Sequence, residues 1–219
     1  YEMSGEELWW RLSVQATGRM AVTLNKAKQK DLDTEHMMLF ESQLEKLAEK
    51  QIYTIDHLAT WEETKLAINY YMYAHGVKCI VIDYIQNIIG GSSNSEYETL
   101  NRIIRELQKT AVKNDVFICV FSQMNRQSIR DDEEEVFGFK GSGNLENAAD
   151  IAMTLKTASS DKADKRRKLI VGKNRSGETG TIMLYTNYGY GYIDEMTQEQ
   201  WDNYKIQSNT WKNRWKTTR

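Results

Sequence analysis

The sequence predicts an α/β fold with a mainly parallel central sheet flanked by helices. Two uninterrupted β-branched runs, VKCIVIDY (77–84) and VFICVFS (116–122), have the apolar continuity of strands covered on both faces. Between them Leu100, Ile103, Ile104, Leu107 and Ala111 recur at the spacing of one helix face. Strand, helix, strand at this spacing is a βαβ unit, which requires a parallel pair. The 219 residues also contain no proline, where ordinary usage would supply about 11. Every element is thus free of that breaker, and collagen-like, mucin-like and proline-rich linker classes are excluded.

Taken in order, Gly5 to Met20 reads as a helix with Leu8, Trp9, Leu12 and Ala16 on its apolar face. A second helix is predicted over 34–50 on Met37, Phe40, Leu44, Leu47 and Ala48, followed by a short strand, IYTID, at 52–56. Thr60-Trp-Glu-Glu63 is a capping box that opens the next helix, and Gly76 supplies its left-handed stop. Ser95-Glu-Tyr-Glu98 is a second capping box at the start of the βαβ helix. Later strands are predicted at 150–156, 168–174, 181–186 and near 191–193, separated by charged loops, all within one α/β domain.

Composition narrows the classes. With 40% apolar and 27% charged residues spread along the chain, general disorder is excluded. No stretch approaches the ~20 apolar residues of a membrane span, and the first residues, YEMSGEELWW, are not a signal peptide. Two cysteines cannot form a disulfide scaffold. Cys79 and Cys119 lie inside apolar runs and are read as buried core thiols, in keeping with a reducing, cytoplasmic setting. His36, His57 and His75 lack metal-ligand spacing. The net charge of −2 hides an asymmetry, because residues 204–219 carry five basic and no acidic side chains. That Trp-containing tail is either a contact for nucleic acid or a partner, or a frayed end.

Four constellations bear on chemistry. Asp83 ends an apolar strand, at the sheet edge where α/β proteins bind ligands; it is either a turn residue or a carboxylate that holds Mg²⁺ through water. Ser122 and Gln123 end the neighbouring strand at the same edge. FKGSGNLENAADI (139–151) holds a Gly-Ser-Gly loop beside Lys140 that is either a turn or a phosphate-binding backbone. In GKNRSGETGT (172–181), Lys173 and Arg175 stand at i and i+2 and so share a face, ahead of a hairpin turn. They are either solvated charges or a pair that meets an anionic ligand.

In this order and spacing, YEMSGEELWWRL (1–12), IVIDYIQNI (80–88), FSQMNR (121–126), FKGSGNLENAADI and GKNRSGETGT resemble the RecA-like motor domain of DnaB-type hexameric replicative helicases and their phage primase-helicase relatives. The resemblance covers residues 1–193. It implies the RecA-like P-loop NTPase fold, ATP with Mg²⁺, and a ring, a homohexamer, moving on single-stranded DNA in the cytoplasm of a bacterial or phage-infected cell. Primase and a helicase loader are candidate partners. Residues 1–195 would be a partial motor domain and 196–219 the basic tail.

The resemblance also implies roles. Glu2 matches the catalytic glutamate that acts on the attacking water, and Asp83 the Walker B aspartate that supports Mg²⁺. Gln123 matches the γ-phosphate sensor. Lys173 and Arg175 match the pair that reaches a neighbouring subunit's nucleotide, with Arg175 as arginine finger. Lys140, Gly141, Ser142 and Gly143 match the loop that tracks the DNA backbone, and Arg126 joins them as a candidate DNA contact. Lys140-Gly141 departs from the Arg and polar residue common in relatives, which keeps the charge but loses the bidentate fork.

The larger departure is at the front. No G-x-x-x-x-G-K-[ST] occurs, so the Walker A cradle for the phosphates is missing from these residues. The expectation is that they are the latter part of a longer protein and do not hydrolyse ATP by themselves. A RecA/RadA-like recombination ATPase and a non-catalytic helicase-like regulator are the alternatives.

Overall fold

A computed structural model of the chain describes residues 3–18, 22–58, 60–88, 96–123, 147–159, 161 and 164–204. Its helices are α1 (Gly5–Ala16), α2 (Leu24–Gln29), α3 (Thr34–Ala48), α4 (Trp61–His75) and α5 (Glu96–Asn114). Its strands are β1 (Cys79–Ile82), β2 (Phe117–Val120), β3 (Ile151–Thr157), β4 (Arg166–Asn174), β5 (Gly180–Asn187) and β6 (Tyr192–Glu195), with 3-10 turns at Ile85–Ile88 and Tyr188–Tyr190. They form two compact units, one of Tyr1–Glu7, Tyr53–Ala152 and Lys173–Ser176, the other of Leu8–Ile52, Met153–Gly172 and Gly177–Arg219.

In the first unit, α4 starts where its capping box dictates. Glu63 N donates to Thr60 Oγ1 at 3.3 Å and Thr60 N donates to Glu63 Oε2 at 3.0 Å, so two free N–H groups are satisfied reciprocally. It stops at Gly76, whose φ of +67° is the left-handed conformation that glycine adopts without a Cβ penalty. The βαβ unit forms as expected: β1 and β2 pair in parallel, from Cys79 opposite Phe117 to Ile82 opposite Val120. The α5 stripe of Leu100, Ile103, Ile104 and Leu107 packs into a core with Trp61, Ile82, Ile85 and Ile88. The Ser95 end of the second capping box lies outside the described residues.

Among the described residues the strands are covered on one face, where the expectation was burial on both. Ile80, Ile82, Ile118 and Val120 alternate onto the α5 side, while Val81 and Phe117 are 59% and 63% exposed on the other. The thiol reading is corrected with it, since Cys79 is exposed and Cys119 half-buried. Burial, with Cys79 close by, pushes the Cys119 thiol above its usual pKa. The strand expected at 52–56 is absent, because the segment has no ladder partner among the described residues. Instead, the Asp56 carboxylate accepts from Gly5 N at 2.6 Å, an anion at the N-terminus of α1, and the Tyr53 ring packs on Tyr71 with centroids 4.7 Å apart.

In the second unit, α1 ends at Ala16, four residues short of expectation, ahead of Gly18 with φ +92°. Its buried face is also turned by about one residue from Leu8, Trp9, Leu12 and Ala16. Val14, Val22, Ala27 and Phe40 form the core, and Trp10 stacks on Phe40 at 5.6 Å. Ser13 and Thr17 enter this face at no polar cost because their hydroxyls donate back to Trp9 O (2.8 Å) and Val14 O (2.7 Å). The short α2, capped by Thr23, is an element that the sequence spacing does not announce. Of the α3 stripe, Phe40 is buried, while Leu44 and Ala48 are exposed.

The later strands form one four-stranded sheet in the order β3-β4-β5-β6, in which β4–β5 and β5–β6 are antiparallel. A mainly parallel sheet is therefore not what the described residues form. The five-residue connection from β4 to β5 and the four-residue one to β6 are too short for a crossover and permit only hairpins. At the start of β4 Arg166 is 6% exposed and forks onto Asp164, Nη2 to Oδ2 at 2.8 Å and Nε to Oδ1 at 3.1 Å. Its guanidinium lies 4.8 Å from the ring centres of both Trp201 and Tyr204, in a helical stretch at 198–204. The start of the expected tail is thus packed; Trp211 and Trp215 lie outside the described residues.

Candidate functional site

The first group of candidates lies at the carboxyl edge of the parallel pair. β1 runs into Asp83, which is exposed, and the chain then enters the 3-10 turn through a cis Asp83–Tyr84 peptide. Ile85 and Ile88, 0% and 1% exposed, pin that turn into the core. Phe121 N donates to Ile82 O at 2.9 Å and Ile85 N to Phe121 O at 3.0 Å, so the tails leaving the two strands run side by side. Ser122 and the exposed Gln123 stand there beside Asp83's strand, as the sequence implied.

Gln86 locks this edge, and sequence reasoning assigns it no role. Its Nε2 donates to Ser122 Oγ at 2.8 Å, and its Oε1 accepts from Gln123 N at 3.3 Å. One side chain thereby ties the turn after β1 to both polar residues after β2. The signal available was an amide pair, Gln86-Asn87, three residues after Asp83 and between two isoleucines that the turn buries.

The second group is built on the end of β4. Lys173 and Arg175 reach the same carbonyl, Asn147 O, from Nζ at 3.1 Å and Nη2 at 3.2 Å, as two residues on one face should. Arg175 is held further by Asp150: its backbone N donates to Asp150 O at 2.9 Å and its Nη1 to Asp150 Oδ1 at 2.8 Å. The segment they grip is also bound to α5, where Gln108 Nε2 donates to Ala148 O at 3.1 Å, and Ala148 packs on the core. The carboxylate partner was not legible, since it lies 25 residues away in sequence.

With this geometry in view, the comparisons with known proteins are decisive for the family. Residues 1–194 match the model of the DnaB-like helicase C terminal domain. The chain belongs to that family. It is 25% identical over 213 residues to the replicative DNA helicase DnaB of Buchnera aphidicola subsp. Baizongia pistaciae, and 30% identical over 166 residues to that of subsp. Acyrthosiphon pisum. Those alignments take in 91% and 71% of this chain but 45% and 36% of the relatives, so the chain spans less than half of their length. Among solved structures, one ATPase domain matches with a TM-score of 0.73 at 24% identity, over 90% of this chain and 72% of that one. A DnaB-like replicative helicase, solved in a study of its interactions with primase, matches with 0.76 at 22% identity, over 90% of this chain and 50% of that one. These establish the helicase ATPase fold.

Of the residues matched to DnaB-like roles, Asp83, Gln123, Lys173 and Arg175 are described and fall in the two groups above, all within the first unit. Glu2, Arg126, Lys140, Gly141, Ser142 and Gly143 lie outside the described residues. The histidines have local company: His36 Nδ1 lies 2.7 Å from its helix cap Asp33, His57 Nδ1 lies 3.7 Å from Asp56, and His75 sits among Tyr53, Tyr70 and Tyr71. Among the described residues no three His, Cys, Asp or Glu gather to hold a metal ion, and no helix is long and apolar enough to cross a membrane.

Proposed function

We propose that this chain is the motor portion of a replicative DNA helicase. It would couple ATP hydrolysis to translocation on single-stranded DNA and to duplex unwinding, as a ring, a homohexamer, in the cytoplasm. One observation supports this most. Within a chain of the DnaB-like family, Gln86 and two backbone bonds align the ends of β1 and β2, so Asp83 and Gln123 share one sheet edge. An acidic group and a polar group side by side at that edge suit a nucleotide's phosphates and their cation.

Asp83 is an exposed carboxylate at this edge, and Mg²⁺ is a cation held by one or two carboxylates, phosphate oxygens and retained water. When bound, that ion neutralises charge on the phosphates. Around it Asp83 would orient coordinated water, Gln123 would contact the terminal phosphate, and Glu2 would position the attacking water. Lys173 and Arg175 would serve a neighbouring subunit's nucleotide, with Arg175 stabilising charge on the transferred group. Lys140 to Gly143, with Arg126, would hold the DNA through its phosphates, contacts that carry no sequence information and so suit a translocating motor. Primase and a loader are the proposed partners.

The test is steady-state ATP hydrolysis by the natural full-length protein, with and without single-stranded DNA. Stimulation by DNA is expected, and Asp83→Asn and Arg175→Ala should each lower the stimulated rate at least about 100-fold, given that a finger supplied in trans contributes about 10³–10⁵. Full activity in Arg175→Ala would refute the finger; full activity in Asp83→Asn would refute the metal assignment.

A further inference from the structure

The 147–150 segment is gripped from two directions, by Lys173 and Arg175 at the end of β4 and by Gln108 of α5. It begins four residues after Gly143, the end of the proposed DNA loop, and it is the segment that both Lys173 and Arg175 hold. Arg175 commits one side-chain donor to each of Asn147 O and Asp150 Oδ1, and its backbone N–H is directed at Asp150 O. A guanidinium has five N–H donors in a rigid plane, so two bonds fix the plane while the remaining donors stay open to a phosphate. The side chain is 49% exposed and Asp150's 78%, which keeps that open side accessible and the ion pair weak enough to adjust.

We infer that Asp150 is a positioning residue for Arg175, and that it sets the angle at which the guanidinium meets the neighbouring subunit's nucleotide. This rests on the proposed function and deepens it. An unrestrained arginine samples many rotamers and loses most of its charge stabilisation when displaced by about 1 Å. Asp150 and Asn147 O remove that freedom before the subunits meet. Lys173 shares the Asn147 carbonyl, so the two cations move together.

The experiment is a double-mutant cycle on DNA-stimulated ATP hydrolysis by the natural full-length protein, with Asp150→Ala, Asp150→Asn, Arg175→Ala and Asp150→Ala/Arg175→Ala. Asp150→Ala should lower kcat about 10- to 100-fold while KM for ATP stays within about twofold. Asp150→Asn keeps the Oδ1 acceptor and should be milder. In the Arg175→Ala background the Asp150 change should add less than about twofold, because a residue acting only through Arg175 has nothing left to position. Hydrogen exchange should show the variants folded, with faster exchange of the Arg175 amide in Asp150→Ala. Arg175→Ala losing activity while Asp150→Ala keeps it, or independent multiplicative losses in the cycle, overturns the inference and leaves the proposed function standing. Full activity in Arg175→Ala overturns the finger itself.

Discussion

Replacing Arg166 with alanine removes the counter-charge from a carboxylate that the fold has taken out of water. Arg166 and Asp164 are 6% and 9% exposed, and the fork between them is bidentate, at 2.8 Å and 3.1 Å. Arg166 N donates to the same carboxylate at 2.9 Å. Burial pushes the Asp164 pKa up, but the Arg166 side chain and backbone N–H outweigh it and hold the carboxyl below its ordinary range. Breaking a buried pair by removing one partner costs about 3–5 kcal/mol, because the remaining charge stays buried. Loss of the guanidinium from the faces of Trp201 and Tyr204 adds up to about 1–2 kcal/mol. Arg166→Ala should therefore destabilise the second unit by about 3–7 kcal/mol. The assay is a urea titration read by pulsed hydrogen exchange over residues 166–172 and 177–187, which reports that unit separately. The paired change Arg166→Met/Asp164→Leu should cost less than about 2 kcal/mol, since it leaves no charge behind. A single variant within about 1 kcal/mol of the parent, or a paired variant as damaged as the single one, would refute this account of the latch.

Three further outcomes follow from the packing and charges. Ile103→Ala empties a fully buried position at the centre of the first unit's core and should cost about 2–5 kcal/mol in the same titration, read over β1 and β2. Gln86→Ala removes the side-chain hydrogen bonds to Ser122 and Gln123 and should cost about 1–2 kcal/mol, with faster amide exchange at Gln123 as the local signature. Asp164 and Glu106 both titrate below their ordinary values in the folded chain. Burial opposes ionisation of Glu106, and Lys65, Trp61 and Arg102 overcome it. Depressed carboxylates contribute stability that is complete above the ordinary carboxylate range and is lost as pH falls through and below about 4. Melting temperature should thus be flat near neutrality and drop below about pH 4.5, and the drop should shrink in Arg166→Met/Asp164→Leu.

What was legible in the sequence was what local chemistry decides. The Thr60–Glu63 box, the Gly76 stop and the α5 stripe depend on neighbours within one turn, and each stands where the spacing placed it. Pairing of β1 with β2 followed because a helix between two strands leaves one connection open. Partners distant in sequence were not legible. Whether a β-branched run is covered on one face or two depends on what packs against it, and Val81, Cys79 and Phe117 carry no mark of that. The buried face of α1 was hidden because Ser13 and Thr17 look polar in sequence, yet their hydroxyls are satisfied within the helix and Trp10, not Trp9, meets Phe40. At the candidate site, Asp83, Gln123, Lys173 and Arg175 were readable as chemistry at strand ends. Gln86 and Asp150, which hold them, were visible only as geometry.

The central claim is that this chain belongs to a motor that uses ATP to separate DNA strands. Its most direct test is displacement of a labelled strand from a forked duplex by the natural full-length protein. Displacement should require ATP, fail with a non-hydrolysable analogue and be lost in Asp83→Asn. ATP-dependent filaments that coat single-stranded DNA without displacing a strand, or displacement undiminished in Asp83→Asn, would contradict it.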